Sequence, residues 1–160
     1  MDVTIRRMTE DDLPEVLRIE DGTFSNPWSC RSFVYELDSD IAICTVASCK
    51  DSVIGYVCTQ ALLGDAYILK LAVHPAFRRQ RVATLLIDNT LRTLHELVCE
   101  KILLEVRRSN ESALRLYEGF GFKRFSVRSG YYADPTEDAI TMVLRINTTH
   151  TGERLKWTCT

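Results

Sequence analysis

Residues 66–106 constrain the fold more than any other part of the chain. The stretch "AYILKLAVH" (66–74) reads as a strand, and residues 79–98 then carry Val82, Leu85, Leu86, Leu91, Leu94 and Leu97 at helical spacing. "KILLEV" (101–106) follows, apolar almost throughout, as expected of a strand covered on both faces. One helix therefore crosses between two strands of a sheet, and open sheets favour ligands at strand ends beside such crossovers. The flanking sequence supplies the other elements. "VTIRRM" (3–8) alternates, "TEDDLPEVLRIEDGTF" (9–24) opens on a cap-like Thr9 with acids behind it, and "CRSFVYEL" (30–37) is a short helix. "IAICTVAS" and "SVIGYVCTQALL" form a hairpin, "NESALRLYEGFGF" (110–122) a helix with glycine punctuation, and "KRFSVRSGYY" and "EDAITMVLRI" the last two strands. The predicted order is β-α-α-β-β-β-α-β-α-β-β, an α/β chain on a mixed α+β sheet. Residues 1–146 read as one domain and 147–160 as a polar tail that Trp157 could tack down.

A chain of 160 residues is long enough to bury one real core. Its net charge of −2 argues against a general nucleic-acid binder, so basic clusters must be read locally. No apolar run is long enough to span a bilayer, and the acidic N-terminal stretch does not read as a signal peptide. None of the six cysteines forms a C-x-x-C pair or lies at zinc-finger spacing from a histidine. They read as reduced thiols of a cytoplasmic protein, with no metal site.

The local cluster of interest is "HPAFRRQRVATLL" (74–86), where a proline turn runs through Arg78, Arg79, Gln80 and Arg81 into the helix. A helix start offers unpaired N–H groups and partial positive charge, which suits a pyrophosphate. A solvated basic turn is the plainer reading, and the charge by itself does not decide between them.

The spacing "R-R-Q-R-V-A" (78–83) resembles the Q/R-x-x-G-x-G/A signature of the GNAT acetyltransferase superfamily. "LEVRRSNESALRLYEGFGF" (104–122), "SGYYADPTEDAITMVL" (129–144) and "FSNPWS" (24–29) resemble, in order, further segments of its RimI-type and archaeal N-terminal acetyltransferases. The resemblance spans residues 3–146. It implies the GNAT fold with splayed central strands, acetyl-CoA as donor and protein N-termini as acceptors, with ribosomal proteins among the candidates. It also implies a coenzyme site at Leu71, Ala72, Val73, Arg78, Arg79, Gln80, Arg81, Val82, Ala83, Thr84, Asn110 and Tyr117. Arg81 departs from the signature's first glycine. We expect it to keep a helical φ with its side chain outward, because a positive φ there would weaken coenzyme binding.

The amine must be neutral to attack. At pH 7 roughly 10% of a protein α-amine is neutral against about 0.04% of a lysine, a gap of about 3.3 kcal/mol, so a modest base suffices for N-termini. Glu105 stands in an apolar strand, where a carboxylate is out of place. Its residues alone equally allow a wet patch or a pair with Arg107 or Lys70. The resemblance implies that Glu105 is the base, through a bridging water if need be. Tyr117 shares a helical face with Ala113, Leu116 and Phe120, which suits a core tyrosine; the resemblance places it beside the sulfur, as the acid. Asn110 reads as a helix N-cap and, by resemblance, as a pantetheine contact. The backbone of 71–73 would pair with pantetheine amides like an added strand. Phe24, Pro27 and Trp28, with Tyr131 and Tyr132, would flank the incoming peptide; Phe24 and Trp28 equally suit closure of a small core. Glu137 and Asp138 would attract a cationic terminus or stay solvated.

Three rival readings remain: an acetyltransferase for lysine or a small amine, a catalytically silent acyl-CoA-binding module, and a ribosome-docking subunit with Arg78, Arg79, Arg107 and Arg108 on a basic face.

Overall fold

The computed structural model describes residues 1–146; the predicted tail, with Trp157, lies outside the described residues. Seven strands form one sheet: β1 (Thr4–Arg7), β2 (Ala42–Cys49), β3 (Ser52–Leu62), β4 (Asp65–Val73), β5 (Lys101–Arg107), β6 (Lys123–Tyr132) and β7 (Glu137–Arg145). The helices are α1 (Leu13–Thr23), α2 (Cys30–Leu37), α3 (Val82–Glu96) and α4 (Glu111–Gly119). The predicted element order is the observed one. Strand order across the sheet is β1-β2-β3-β4-β5-β7-β6, antiparallel everywhere except β4 beside β5.

Local chemistry explains the boundaries. The Thr9 N–H donates to the Asp12 carboxylate at 2.9 Å, so the acidic start of the first helical segment caps itself. Lys50 and Asp51, both at positive φ, make the two-residue turn between β2 and β3 whose twist matches an antiparallel hairpin. Ser29 and Asn110 accept from the N–H groups of Ser32 and Ala113, the N-cap bonds of α2 and α4.

Two apolar layers hold the sheet. On one face Val82, Leu86, Ile87, Leu91 and Leu94 of α3 and Leu114 and Tyr117 of α4 pack over Ile68, Ile102, Leu104 and Val106. On the other, Leu13, Val16 and Ile19 of α1 and Phe33 of α2 pack over Val46, Tyr56 and Ala72. Burying each such aliphatic side chain contributes about 1.5–3 kcal/mol. Gly55 lets α3 sit low on β3: a Cβ there would lie 3.1 Å from the Ala72 carbonyl and 3.3 Å from the side chains of Val82 and Leu86. The first turn of α3 is thereby fixed against the ends of β3 and β4.

The central pair parts. β4 bonds β5 only over Asp65–Ile68 against Lys101–Leu104. Beyond that, Leu71, Ala72 and Val73 pair with β3, and Glu105, Val106 and Arg107 pair with β7. A bulge sits at the parting, where Cys58 opposes Lys70 and Thr59 opposes Ile68. Bulges bend a strand and raise its twist, which steers β4 away from β5.

Candidate active site

The basic turn lies at the top of this gap. After a single 3-10 turn, Pro75–Phe77, the chain reverses through Arg79 at φ 61° and Arg81 at φ 65° and enters α3. This corrects the expectation of a helical φ at Arg81. Arg79 and Arg81, on either side of Gln80, both take the left-handed conformation as the chain turns into α3. Arg81 thus occupies a glycine conformation, at a cost of about 1–2 kcal/mol. Its side chain is exposed. A turn of this kind, followed by helix amides without intrahelical acceptors, forms an anion-binding concavity. The first helical bond runs from the Leu85 N–H to the Arg81 carbonyl.

The basic side chains are less free than their sequence suggests. Arg78 Nε donates to the Val73 carbonyl at 3.0 Å and Nη2 to Thr23 Oγ1 at 3.3 Å. Gln80 Nε2 donates to the Ala76 carbonyl at 3.0 Å. Val82 is buried, Ala83 and Thr84 are half-buried, and Arg79 is exposed. Leu71 and Val73 lean into the α3 layer and Ala72 into the α1 layer, so their backbone alone faces the gap. The residues present fit a diphosphate with a thin, amide-bearing arm.

Alternation along β5 points Glu105 away from the face on which α4, with Tyr117, packs. Ile102, Leu104 and Val106 are buried under α3 and α4, so Glu105 points to the α1–α2 side. Its side chain is 25% exposed, and its Oε1 accepts from Arg128 Nη1 at 2.5 Å. Neither Arg107 nor Lys70, the partners suggested by sequence, holds it. The Tyr131 phenol is held above its ordinary value, first by its hydrogen bond with Glu105 and then by burial. Tyr132 is pushed up to about 12, by burial and then by the Glu105 charge. Tyr117 lies on the other face, edge-on to Phe122 at 5.6 Å between centroids. Burial first, and then Tyr132, drive its pKa upward, so it keeps its proton.

On the Glu105 face stand the predicted aromatic residues of the α1–α2 loop. Trp28 packs edge-on to Phe33 at 5.3 Å, and the Lys70 ammonium sits 3.8 Å from the centre of the Phe24 ring, so both also close the smaller core. Pro27 is exposed beside them. Glu137 and Asp138 are held by partners rather than simply solvated. Glu137 accepts from the Ser109 N–H at 2.7 Å and Oγ at 2.9 Å, which holds it below the usual carboxylate range; Asp138 binds Arg108 at 3.2 Å and the Gly130 N–H at 2.9 Å. Of the basic residues in the ribosome-docking reading, Arg78 and Arg108 each carry an internal partner but stay exposed with Arg79, and Arg107 is engaged by the neighbouring loops.

Glu20 and Arg128 escaped sequence reasoning, and Lys70 entered it only as a partner for Glu105. Fully buried Glu20 of α1 binds Lys70 Nζ at 2.8 Å, the Trp28 N–H at 2.7 Å and the Tyr56 hydroxyl. A charged residue in the apolar strand "YILKLAV" was the available signal for Lys70, the same signal that marked Glu105. Arg128 carried none, since its contact depends on sheet order.

The Acetyltransferase (GNAT) family matches residues 13–122. The [ribosomal protein bS18]-alanine N-acetyltransferase of Salmonella typhimurium is 32% identical, covering 90% of this chain and 98% of its own length. The N-alpha-acetyltransferase of Saccharolobus solfataricus is 31% identical, covering 88% and 92%. The crystal structure of the Escherichia coli ribosomal-protein-S18-alanine N-acetyltransferase superposes with a TM-score of 0.85 at 30% identity, covering 97% of this chain and 99% of that one.

Proposed function

This chain belongs to the GNAT acetyltransferase family, and from that premise we propose that it transfers the acetyl group of acetyl-CoA to the free α-amine of protein N-termini. The acceptor we favour is a ribosomal protein in the cytoplasm, since two of the relatives above are named for bS18 alanine. Residues 1–146 form the whole catalytic domain in this reading, with 147–160 an appended tail. The observation that supports it is the arrangement about β5: the Glu105 carboxylate faces the side of the aromatic loop, and the Tyr117 phenol, carried by α4, lies on the other side.

The coenzyme supplies an acetyl thioester. The turn amides from Arg79 to Thr84 hold its diphosphate, the backbone of Leu71, Ala72 and Val73 pairs with its amides, and Asn110 contacts its arm while capping α4. The peptide lies between the α1–α2 loop, with Phe24, Pro27 and Trp28, and the β6–β7 hairpin, with Tyr131 and Tyr132. Glu105 takes the proton of the attacking amine, directly or through one water, as the N–C bond forms. As the C–S bond breaks the coenzyme leaves as its thiolate, hydrogen-bonded by the Tyr117 hydroxyl, whose raised pKa keeps it protonated at neutral pH. Positioning supplies the remaining acceleration.

The test is to incubate the pure protein with acetyl-CoA and an N-terminal peptide library and read acetylated termini by mass spectrometry. Acetylation confined to α-amines supports the reading. Acetylation of internal lysines or free polyamines, or calorimetric coenzyme binding without turnover, refutes it.

A further inference from the structure

Arg107 ends β5, two residues beyond Glu105 and on the same face. Its Nη1 donates to the Pro135 carbonyl at 3.0 Å, and its Nη2 donates to the Ala133 carbonyl at 3.1 Å and to Ser25 Oγ at 3.3 Å. Glu137 lies 3.7 Å from Nη1, and the guanidinium carbon sits 4.4 Å from the centre of the Tyr132 ring. Ser25 belongs to the α1–α2 loop; Ala133 and Pro135 belong to the β6–β7 turn. One planar group therefore bridges two loops that have no sequence proximity. Arginine suits this because its five donors lie in a rigid fork that serves divergent acceptors at once, whereas a lysine ammonium is a single point.

We infer that Arg107 is a positioning residue for the acceptor peptide. It fixes the distance between the loop and the hairpin, and so the aperture through which a terminus reaches Glu105. The inference rests on the functional reading above, which puts the peptide between these two loops. Because the hairpin is gripped through its carbonyls, the aperture does not depend on the side chains of Ala133 or Pro135. On the opposite wall the grip is a single hydroxyl, Ser25. That wall is otherwise anchored from below, where Glu20 holds the Trp28 N–H. Arg107 touches the peptide walls and not the coenzyme turn, so its influence is confined to one substrate.

The test is steady-state kinetics with a peptide that the wild-type protein acetylates, varying peptide and acetyl-CoA separately. Arg107→Ala should raise the peptide KM roughly tenfold or more while the acetyl-CoA KM stays within about twofold. Free guanidinium ion at low concentration should recover part of the loss in Arg107→Ala and nothing in the wild type. Ser25→Ala, an exposed change that leaves the core alone, should raise the peptide KM by about two- to threefold and add nothing on the Arg107→Ala background. It also carries the test if Arg107→Ala does not fold. An unchanged peptide KM in Ser25→Ala and Arg107→Ala, or a parallel rise of both KM values, overturns the inference while leaving the functional reading intact. A wild-type protein that acetylates no N-terminal peptide removes the functional reading and this inference together.

Discussion

Lys70→Met offers the sharpest probe of the ground beneath the site. The side chain length is kept and only the ammonium is lost. Glu20 is fully buried, and its carboxylate would retain the Trp28 N–H and the Tyr56 hydroxyl but no counter-charge. Removing one partner of a buried ion pair costs about 3–5 kcal/mol. The Lys70 side chain is only 13% exposed, so water repairs little of this. A domain of this size has about 5–15 kcal/mol to lose. With a urea m-value near ~2 kcal/mol/M, a loss of about 4 kcal/mol moves the midpoint by about 2 M. The double variant Glu20→Gln/Lys70→Met removes both charges, and its amide oxygen still accepts from Trp28. It should recover most of the loss, with a coupling energy of several kcal/mol in the double-mutant cycle. A midpoint shift under about 0.5 M for Lys70→Met, or a double variant no more stable than the single one, would refute the reasoning.

The other predictions are briefer. Tyr117→Phe should lower kcat at least about a hundredfold while the urea midpoint stays close to that of the parent, since the ring packing on Phe122 survives; unchanged turnover removes Tyr117 as the donor to the thiolate. Glu105→Gln should reduce kcat/KM for peptide by about 10²–10⁴, with calorimetric coenzyme binding unaltered. Arg81→Gly relieves about 1 kcal/mol of left-handed strain and adds a similar backbone entropy cost. Stability should therefore hardly move, while coenzyme binds several-fold more tightly; weaker binding would show that the guanidinium itself grips the phosphates. Asp12 is held below the usual carboxylate range, first by its hydrogen bond from Arg6, against the opposing effect of burial. A depressed folded pKa gives stability that is present above the unfolded value of about 3.9 and lost as pH falls below it. The difference in urea midpoint between wild type and Asp12→Asn should accordingly shrink between about pH 5 and pH 2.

Side-chain pattern made the elements legible, because burial writes itself as period. Even there it misjudged residues 79–98, where Leu85 and, just past the end of α3, Leu97 are exposed while Ile87 and Thr90 are buried. The helix starts at Val82 behind a left-handed cap, and its core face runs along 82, 86, 87, 90, 91 and 94. The cap itself was illegible: Arg81 can be helical or left-handed, and only a glycine would have announced the turn. Glu105 was legible as a charge out of place, but its partner was not. Arg128 reaches it across Thr141 because β7 lies between β5 and β6, an order that no local pattern contains. Arg107 looked like surface charge for the same reason, since its acceptors come from two distant loops.

Rims of sheets are hazardous because any passing chain can dock on their open amides and carbonyls. The parting of β4 from β5 hides two such borders indoors, each shielded by the other and roofed by helices. Beyond Ile68 the border of β4 that would meet β5 keeps amides and carbonyls without a neighbouring strand, so a slender tether that carries its own amides can take the place the strand gave up.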